Sequence, residues 1–173
     1  MTMFKEAADM HIAVPTARFA ASARAFCSWA EGEVATPEVD LVAGHLLLAR
    51  LYADALALSS DATWDGNAPE IAQSLWRARF DRFGSLPVGY YETAFNPLDV
   101  GTNETSLGDL SDDLSDIWRD VKQGLLLFDS GEVDGAVHTW YLYFSIHWGR
   151  HAASALHVLQ CWMDQHRDFD KAG

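Results

Sequence analysis

The chain has 173 residues, a length typical of one domain, so we expect a single domain over residues 1–173 with flexible ends at 1–14 and 167–173. Hydrophobic residues make up 49% and aromatic residues 12% of the sequence, which excludes an intrinsically disordered chain. The formal net charge is −13. This charge argues against nucleic-acid binding and against docking on anionic lipid, because both need a basic surface.

The sequence predicts a cytoplasmic protein. Its first residues carry no basic segment followed by an apolar segment, so no secretory signal is predicted. The longest apolar stretch, residues 41–58, is interrupted by charged residues and therefore indicates a buried helix rather than a membrane span. Cys27 and Cys161 lie far apart and lack the spacing of a zinc or redox motif. Two isolated cysteines are typical of a reducing compartment.

Prolines mark the starts of the first three predicted helices. Pro15, Pro37 and Pro69 each precede an apolar helical pattern, and the first turn of a helix tolerates proline because its N–H has no partner there. We therefore expect helices over residues 15–30, 37–58 and 67–84. Thr36 is the expected N-cap of the second helix.

The second half of the chain predicts two longer helices. Residues 85–104 contain several prolines and glycines and are expected to form an irregular connection. A fourth helix is expected over 106–128, and a fifth over 132–166, with a kink at Gly149 left open. No useful strand alternation is present. The predicted fold is an all-α bundle of about five helices with a long, central C-terminal helix.

The fourth predicted helix carries carboxylates along the border of its apolar face. At 100° per residue, one stripe is apolar: Leu110, Leu114, Ile117, Val121, Leu125 and Phe128. A neighbouring stripe is acidic: Asp109, Asp113, Asp116 and Asp120. Asp113 and Asp120 lie nearest to the apolar face. They need partners, because burying an unpaired carboxylate is costly.

The fifth predicted helix offers those partners. His147 and His151 are four residues apart, so both imidazoles project from one side of the helix, with Trp148 between them in the sequence. The candidate functional cluster is Asp113, Asp116, Asp120, His147, Trp148 and His151. One interpretation is structural: each histidine pairs with a carboxylate across the helix interface and fixes the packing of the two helices.

The second interpretation of this cluster is a metal site. His147 and His151 would be ligands, Asp113 or Asp116 the third ligand, and Asp120 would orient a histidine or accept a proton. Two histidines and one carboxylate suit iron, manganese or zinc and leave a position open for water. The sequence contains no HExxH or ExxH motif and no phosphate loop, so it does not indicate a zincin, a ferritin-like di-iron protein or a P-loop nucleotide-binding protein.

A segment of the fourth helix also matches DDxxD, the pattern with which all-α isoprenoid synthases hold magnesium diphosphate. It spans residues 112–116. Those enzymes use a second acidic motif, which this chain lacks. A match this short has a high false-positive rate, so we give it little weight.

Two segments resemble an uncharacterised bacterial family known only as a domain of unknown function. They are DDLxDIxxDxKxGL at residues 112–125 and HWGxH at residues 147–151. The resemblance extends over nearly the whole chain. It implies an all-helical cytoplasmic protein with no assigned activity, and it supplies no catalytic residues.

Two functions are open at this point. The favoured one is a non-enzymatic module that binds a protein or a small molecule and forms a homodimer, because aromatic residues are abundant and no complete catalytic set is visible. The alternative is a metal-dependent hydrolase with its His/Asp site between the fourth and fifth helices. Apart from a divalent metal in that alternative, no cofactor is expected.

Overall fold

The computed structural model describes residues 2–59, 64–94, 96–101 and 104–166, and for residues 2–13 it describes the backbone alone. The elements in chain order are α1 (Thr2–Glu31), α2 (Pro37–Ala55), α3 (Gln73–Phe83), β1 (Tyr90–Ala94), β2 (Thr105–Asp109), α4 (Leu110–Asp129), α5 (Val133–Tyr143), a π-helical turn (Phe144–Trp148) and α6 (Gly149–Gln165). The all-α class is confirmed. The last three elements form one continuous C-terminal helix of 33 residues.

Of the three prolines expected to mark helix starts, Pro37 does so, at the first residue of α2. Thr36 is the N-cap of α2, and its hydroxyl accepts a hydrogen bond from the backbone N–H of Val39 at 3.4 Å. The predicted start of α1 is wrong, because Pro15 lies inside this helix. Residues 2–14 contain no glycine or proline that would end the helix before it, and they belong to α1. The predicted flexible end at 167–173 lies outside the described residues.

Two other helices are shorter than predicted. The second ends at Ala55 rather than near residue 58, and the third begins at Gln73 rather than near residue 67. Pro69 lies in a non-helical segment, and its carbonyl accepts a hydrogen bond from the Gln123 side chain at 2.9 Å. This contact holds the segment before α3 against α4.

A small antiparallel hairpin replaces part of the predicted irregular connection. Strand β1 pairs with β2 so that Tyr90 lies opposite Asp109 and Tyr91 opposite Gly108. The expectation of no strands is therefore wrong, and the fourth helix begins at Leu110 rather than at residue 106. Asp109 is its N-cap and accepts a hydrogen bond from the N–H of Ser111 at 2.9 Å. The sequence pattern assigned residues 106–109 to the first turn of the fourth helix, but these residues pair with β1 instead.

Helix α4 packs against α1, α3, α5 and α6, and α6 also packs against α2. The indole of Trp140 is fully buried, and its N–H donates to the carbonyl of Val121 at 2.9 Å. Gly124 makes this approach possible, since a Cβ there would collide with the indole ring.

Among the helices in the described ranges, none has both the length and the apolar character of a membrane span.

Candidate metal centre

Two Asp–His pairs join α4 to the C-terminal helix. The Nδ1 atom of His147 lies 2.6 Å from Asp120 Oδ2, and the Nδ1 atom of His151 lies 2.6 Å from Asp113 Oδ1. In the neutral tautomer in which Nδ1 donates to the carboxylate, Nε2 keeps its lone pair, and a metal ion would bind there in place of a proton. The two rings are neighbours, with centroids 4.9 Å apart.

Asp116 lies next to both rings. Its Oδ2 atom is 3.6 Å from Nε2 of His147. Its Oδ1 atom accepts a hydrogen bond from the indole N–H of Trp76 at 2.8 Å and forms an ion pair with the guanidinium of Arg119 at 2.9 Å. One potential ligand atom each from Asp116, His147 and His151 lie within 4.8 Å of one another. These three side chains can therefore supply three ligands to one metal ion.

Burial separates the three potential ligands from the carboxylates behind them. The side chains of His147, His151 and Asp116 are 35%, 28% and 14% exposed. Those of Asp113 and Asp120 are only 8% and 5% exposed. The arrangement thus has a solvent-accessible front and a buried back, and a metal ion could enter from the front.

Asp120, His151 and Asp112 have shifted pKa values. Burial raises the pKa of Asp120, and the hydrogen bond from His147 works in the opposite direction. The hydrogen bond to Asp113 raises the pKa of His151, against the effect of burial. Burial and the nearby charge of Asp116 raise the pKa of Asp112. At the back of the site, burial disfavours the charged forms of Asp120 and His151, and the Asp–His hydrogen bonds favour them.

The structure brings together five of the six residues named from the sequence. Trp148 is separate: its side chain is fully buried, with its ring centroid 4.8 Å from that of Phe144 and 6.3 Å from that of Phe19. Asp113 is hydrogen-bonded to Nδ1 of His151, and Asp116 is the carboxylate that groups with both histidines as a potential third ligand.

Three further residues take part that the sequence analysis did not place in the cluster. Trp76 comes from α3 and Arg119 from α4, and both hold Asp116. Tyr91 comes from β1, and its hydroxyl donates a hydrogen bond to Asp113 Oδ2. Arg119 lies on the same helix as the carboxylates, so its spacing of three from Asp116 was a usable signal. No local pattern connects Trp76 or Tyr91 with α4.

A family model for a domain of unknown function, DUF5063, matches residues 13–164. The chain belongs to this family. The resemblance seen in the sequence is thereby confirmed. The DUF5063 chain is also similar in fold to the crystal structure of protein BF1032 from Bacteroides fragilis, with a TM-score of 0.69 and 19% identity over 83% of this chain and 88% of that one. At this identity the likeness shows the fold alone. A search of curated proteins gave no match.

Proposed function

We propose that this DUF5063 protein is a metal-dependent enzyme that binds a divalent transition metal through Nε2 of His147, Nε2 of His151 and one oxygen of Asp116. One observation carries the proposal. Both histidines are held at Nδ1 by carboxylates and Asp116 is held at Oδ1 by Trp76, and one potential ligand atom from each of the three lies within 4.8 Å of the others. Metal-binding histidines in proteins almost always donate their second N–H to a carboxylate or carbonyl in this way.

Electrostatics favours a cation at this point over two structural Asp–His pairs alone. When Nδ1 of His147 donates to Asp120, its Nε2 lone pair faces the carboxylate oxygen of Asp116 at 3.6 Å. Two electron-rich atoms facing each other repel, so this position attracts a cation, which is either a proton on Nε2 or a metal ion. A metal ion between them forms a favourable bond to each atom.

The donor set favours zinc, iron or manganese and leaves coordination positions open. Imidazole and carboxylate ligands suit these ions, and three protein ligands leave room for water or substrate. A metal at such a site can lower the pKa of bound water to near 7 and so supply hydroxide. We propose hydrolysis as the reaction class. Asp112 lies one turn before Asp116, and its raised pKa suits a group that accepts a proton.

Metal binding is tested on untagged protein stripped with a chelator. Elemental analysis and titration with Zn²⁺, Co²⁺ and Mn²⁺ should give one ion per chain in the wild type. His147→Gln and Asp116→Asn should each lower the affinity at least about tenfold. His157→Gln, an exposed histidine on α6, is the matched control and should bind like the wild type. A stripped wild type that binds none of these ions would refute the proposal.

Hydrolytic activity is tested separately, on chromogenic esters and phosphate esters. Turnover should require the metal and should disappear in Asp116→Asn but persist in His157→Gln. Metal binding without metal-dependent turnover of any such substrate would retain the metal site and contradict the reaction class.

A role as a binding module is the second candidate, and an exposed apolar stripe on α2 favours it. Val39, Val42 and Leu46 are each at least half exposed and share one face of this helix. Homodimerisation through this face would be detected by light scattering and weakened by Leu46→Glu.

We also propose a cytoplasmic location, which is supported by free thiols at Cys27 and Cys161.

A further inference from the structure

Tyr91 is held in place on three sides beside the proposed metal centre. Its hydroxyl donates to Asp113 Oδ2, the oxygen that His151 does not use. The Ser154 hydroxyl, one turn beyond His151 on α6, also lies beside it. The ring lies across Gly108 of β2, where a Cβ would come closer than 3.0 Å to ring atoms. The side chain is therefore fixed by β2, α4 and α6 together.

We infer that Tyr91 is a positioning residue for the metal ligand His151, acting through Asp113, so that the β1–β2 hairpin is part of the metal centre. This inference rests on the proposed function. With Oδ2 bound to the Tyr91 hydroxyl, the carboxylate of Asp113 cannot rotate freely, and Oδ1 stays directed at Nδ1 of His151. The Asp113 side chain is only 8% exposed, so water has little access to replace the hydroxyl.

The second Asp–His pair has a different support, which makes the inference specific. Asp120 lies 3.7 Å from the guanidinium of Arg119, and no hairpin residue is hydrogen-bonded to it among the described residues. Loss of the Tyr91 hydroxyl should therefore disturb His151 and leave His147 unchanged. General loosening of the fold would affect both histidines alike.

The experiment compares Tyr91→Phe with Tyr90→Phe, the neighbouring tyrosine whose side chain points to solvent and is 70% exposed. Co²⁺ affinity is measured by competition with a chromophoric chelator, and the visible spectrum of bound Co²⁺ reports the ligand geometry. Tyr91→Phe should weaken binding about tenfold, the lower end of the effect of outer groups on metal affinity, and should change the spectrum. Tyr90→Phe should match the wild type in both.

Nitrogen-15 NMR of the metal-free protein supplies a readout that a change in overall stability would not move. In Tyr91→Phe, the Nδ1–H resonance of His151 should shift, while that of His147 should not. If Tyr91→Phe folds poorly, Ser154→Ala changes the surroundings of the Tyr91 hydroxyl from the α6 side. It should produce smaller changes in the same direction.

The outcomes separate this inference from the proposed function. If wild-type protein binds Co²⁺ and Tyr91→Phe has the same affinity and spectrum, the inference is overturned and the metal site stands. Equal shifts at both histidines would also overturn it, because they would indicate a global effect. If the wild type binds no Co²⁺, the proposed function fails and ligand positioning fails with it.

Discussion

Replacing Gly149 with alanine tests whether the π-helical turn is needed to place His147. In this turn, Phe144–Trp148, the backbone N–H of Gly149 donates to the carbonyl of Phe144, five residues earlier. A Cβ on Gly149 would lie closer than 3.0 Å to that carbonyl oxygen and 3.1 Å from carbon atoms of the Phe144 ring. Alanine must therefore displace backbone, because a rigid carbonyl cannot rotate away as a flexible side chain can. Turns of this kind are frequently found at functional sites.

The expected cost follows from two opposing effects. Overpacking of a tight site costs about 1–3 kcal/mol, and alanine is favoured over glycine in a helix by about 1 kcal/mol. The net destabilisation is then up to about 2 kcal/mol. For a chain of this size, it would lower Tm by up to about 8 °C, at roughly 2–4 °C per kcal/mol.

The geometric effect on the site should be larger than the effect on stability. If the π turn relaxes to α-helix, residues on its two sides rotate relative to each other by about 100°, which moves a Cα at a radius of about 2.3 Å by about 3.5 Å. The 2.6 Å contact between His147 and Asp120 could not survive such a shift. We therefore expect Gly149→Ala to lower metal affinity by at least about tenfold.

Gly89→Ala is the matched control, because nothing lies within 4 Å of a Cβ at that position. Circular dichroism melting of both variants without metal gives the stability difference, and metal titration gives the affinity difference. If Gly149→Ala has the same Tm as Gly89→Ala and binds metal like the wild type, the close approach at Phe144 has no consequence and the reasoning is refuted.

Two further predictions concern charged pairs. In metal-free protein, the hydrogen bond to Asp113 raises the pKa of His151 above 6.5, so stabilisation by this pair is complete below that pH and is lost as the pH rises through the raised value. Urea denaturation between about pH 5 and 9 should show this decline in the free energy of unfolding. If His151→Asn shows the same decline, the decline does not come from the His151–Asp113 pair. Asp40 forms a buried ion pair with Arg82 at 3.1 Å, and Asp40→Ala should cost about 3–5 kcal/mol by leaving the guanidinium unpaired. Asp81→Ala removes an exposed ion pair and should cost less than about 1 kcal/mol in the same measurement.

Much of the candidate site was predictable because it follows from the periodicity of single helices. The burial of Asp113 and Asp120 at the edge of the apolar face of α4 agrees with the 100° arithmetic. The common side of His147 and His151 follows from their spacing in the same way. The short strands were missed because five residues give too little alternation, and Ser106 with Asp109 also resembles a helix start.

Which carboxylate faces which nitrogen was not predictable. Asp113 and Asp116 are on adjacent positions of one helical stripe, and the choice between them as third ligand depends on how the C-terminal helix is rotated against α4. Tyr91 and Trp76 reach the site from other elements, 22 and 40 residues away in the sequence. No local pattern carries such long-range information.

The amino-acid sequence by itself determined the helical class, the apolar faces, the family and the side of each helix that carries the histidines and carboxylates. These properties depend on the local repeat of the α-helix and on residue type. The tertiary structure alone decided that the two histidines pair through Nδ1 with Asp120 and Asp113, and that Asp116 lies close to both of them. The physical reason is that packing on several faces at once, together with the π turn, sets the rotation of a helix about its axis.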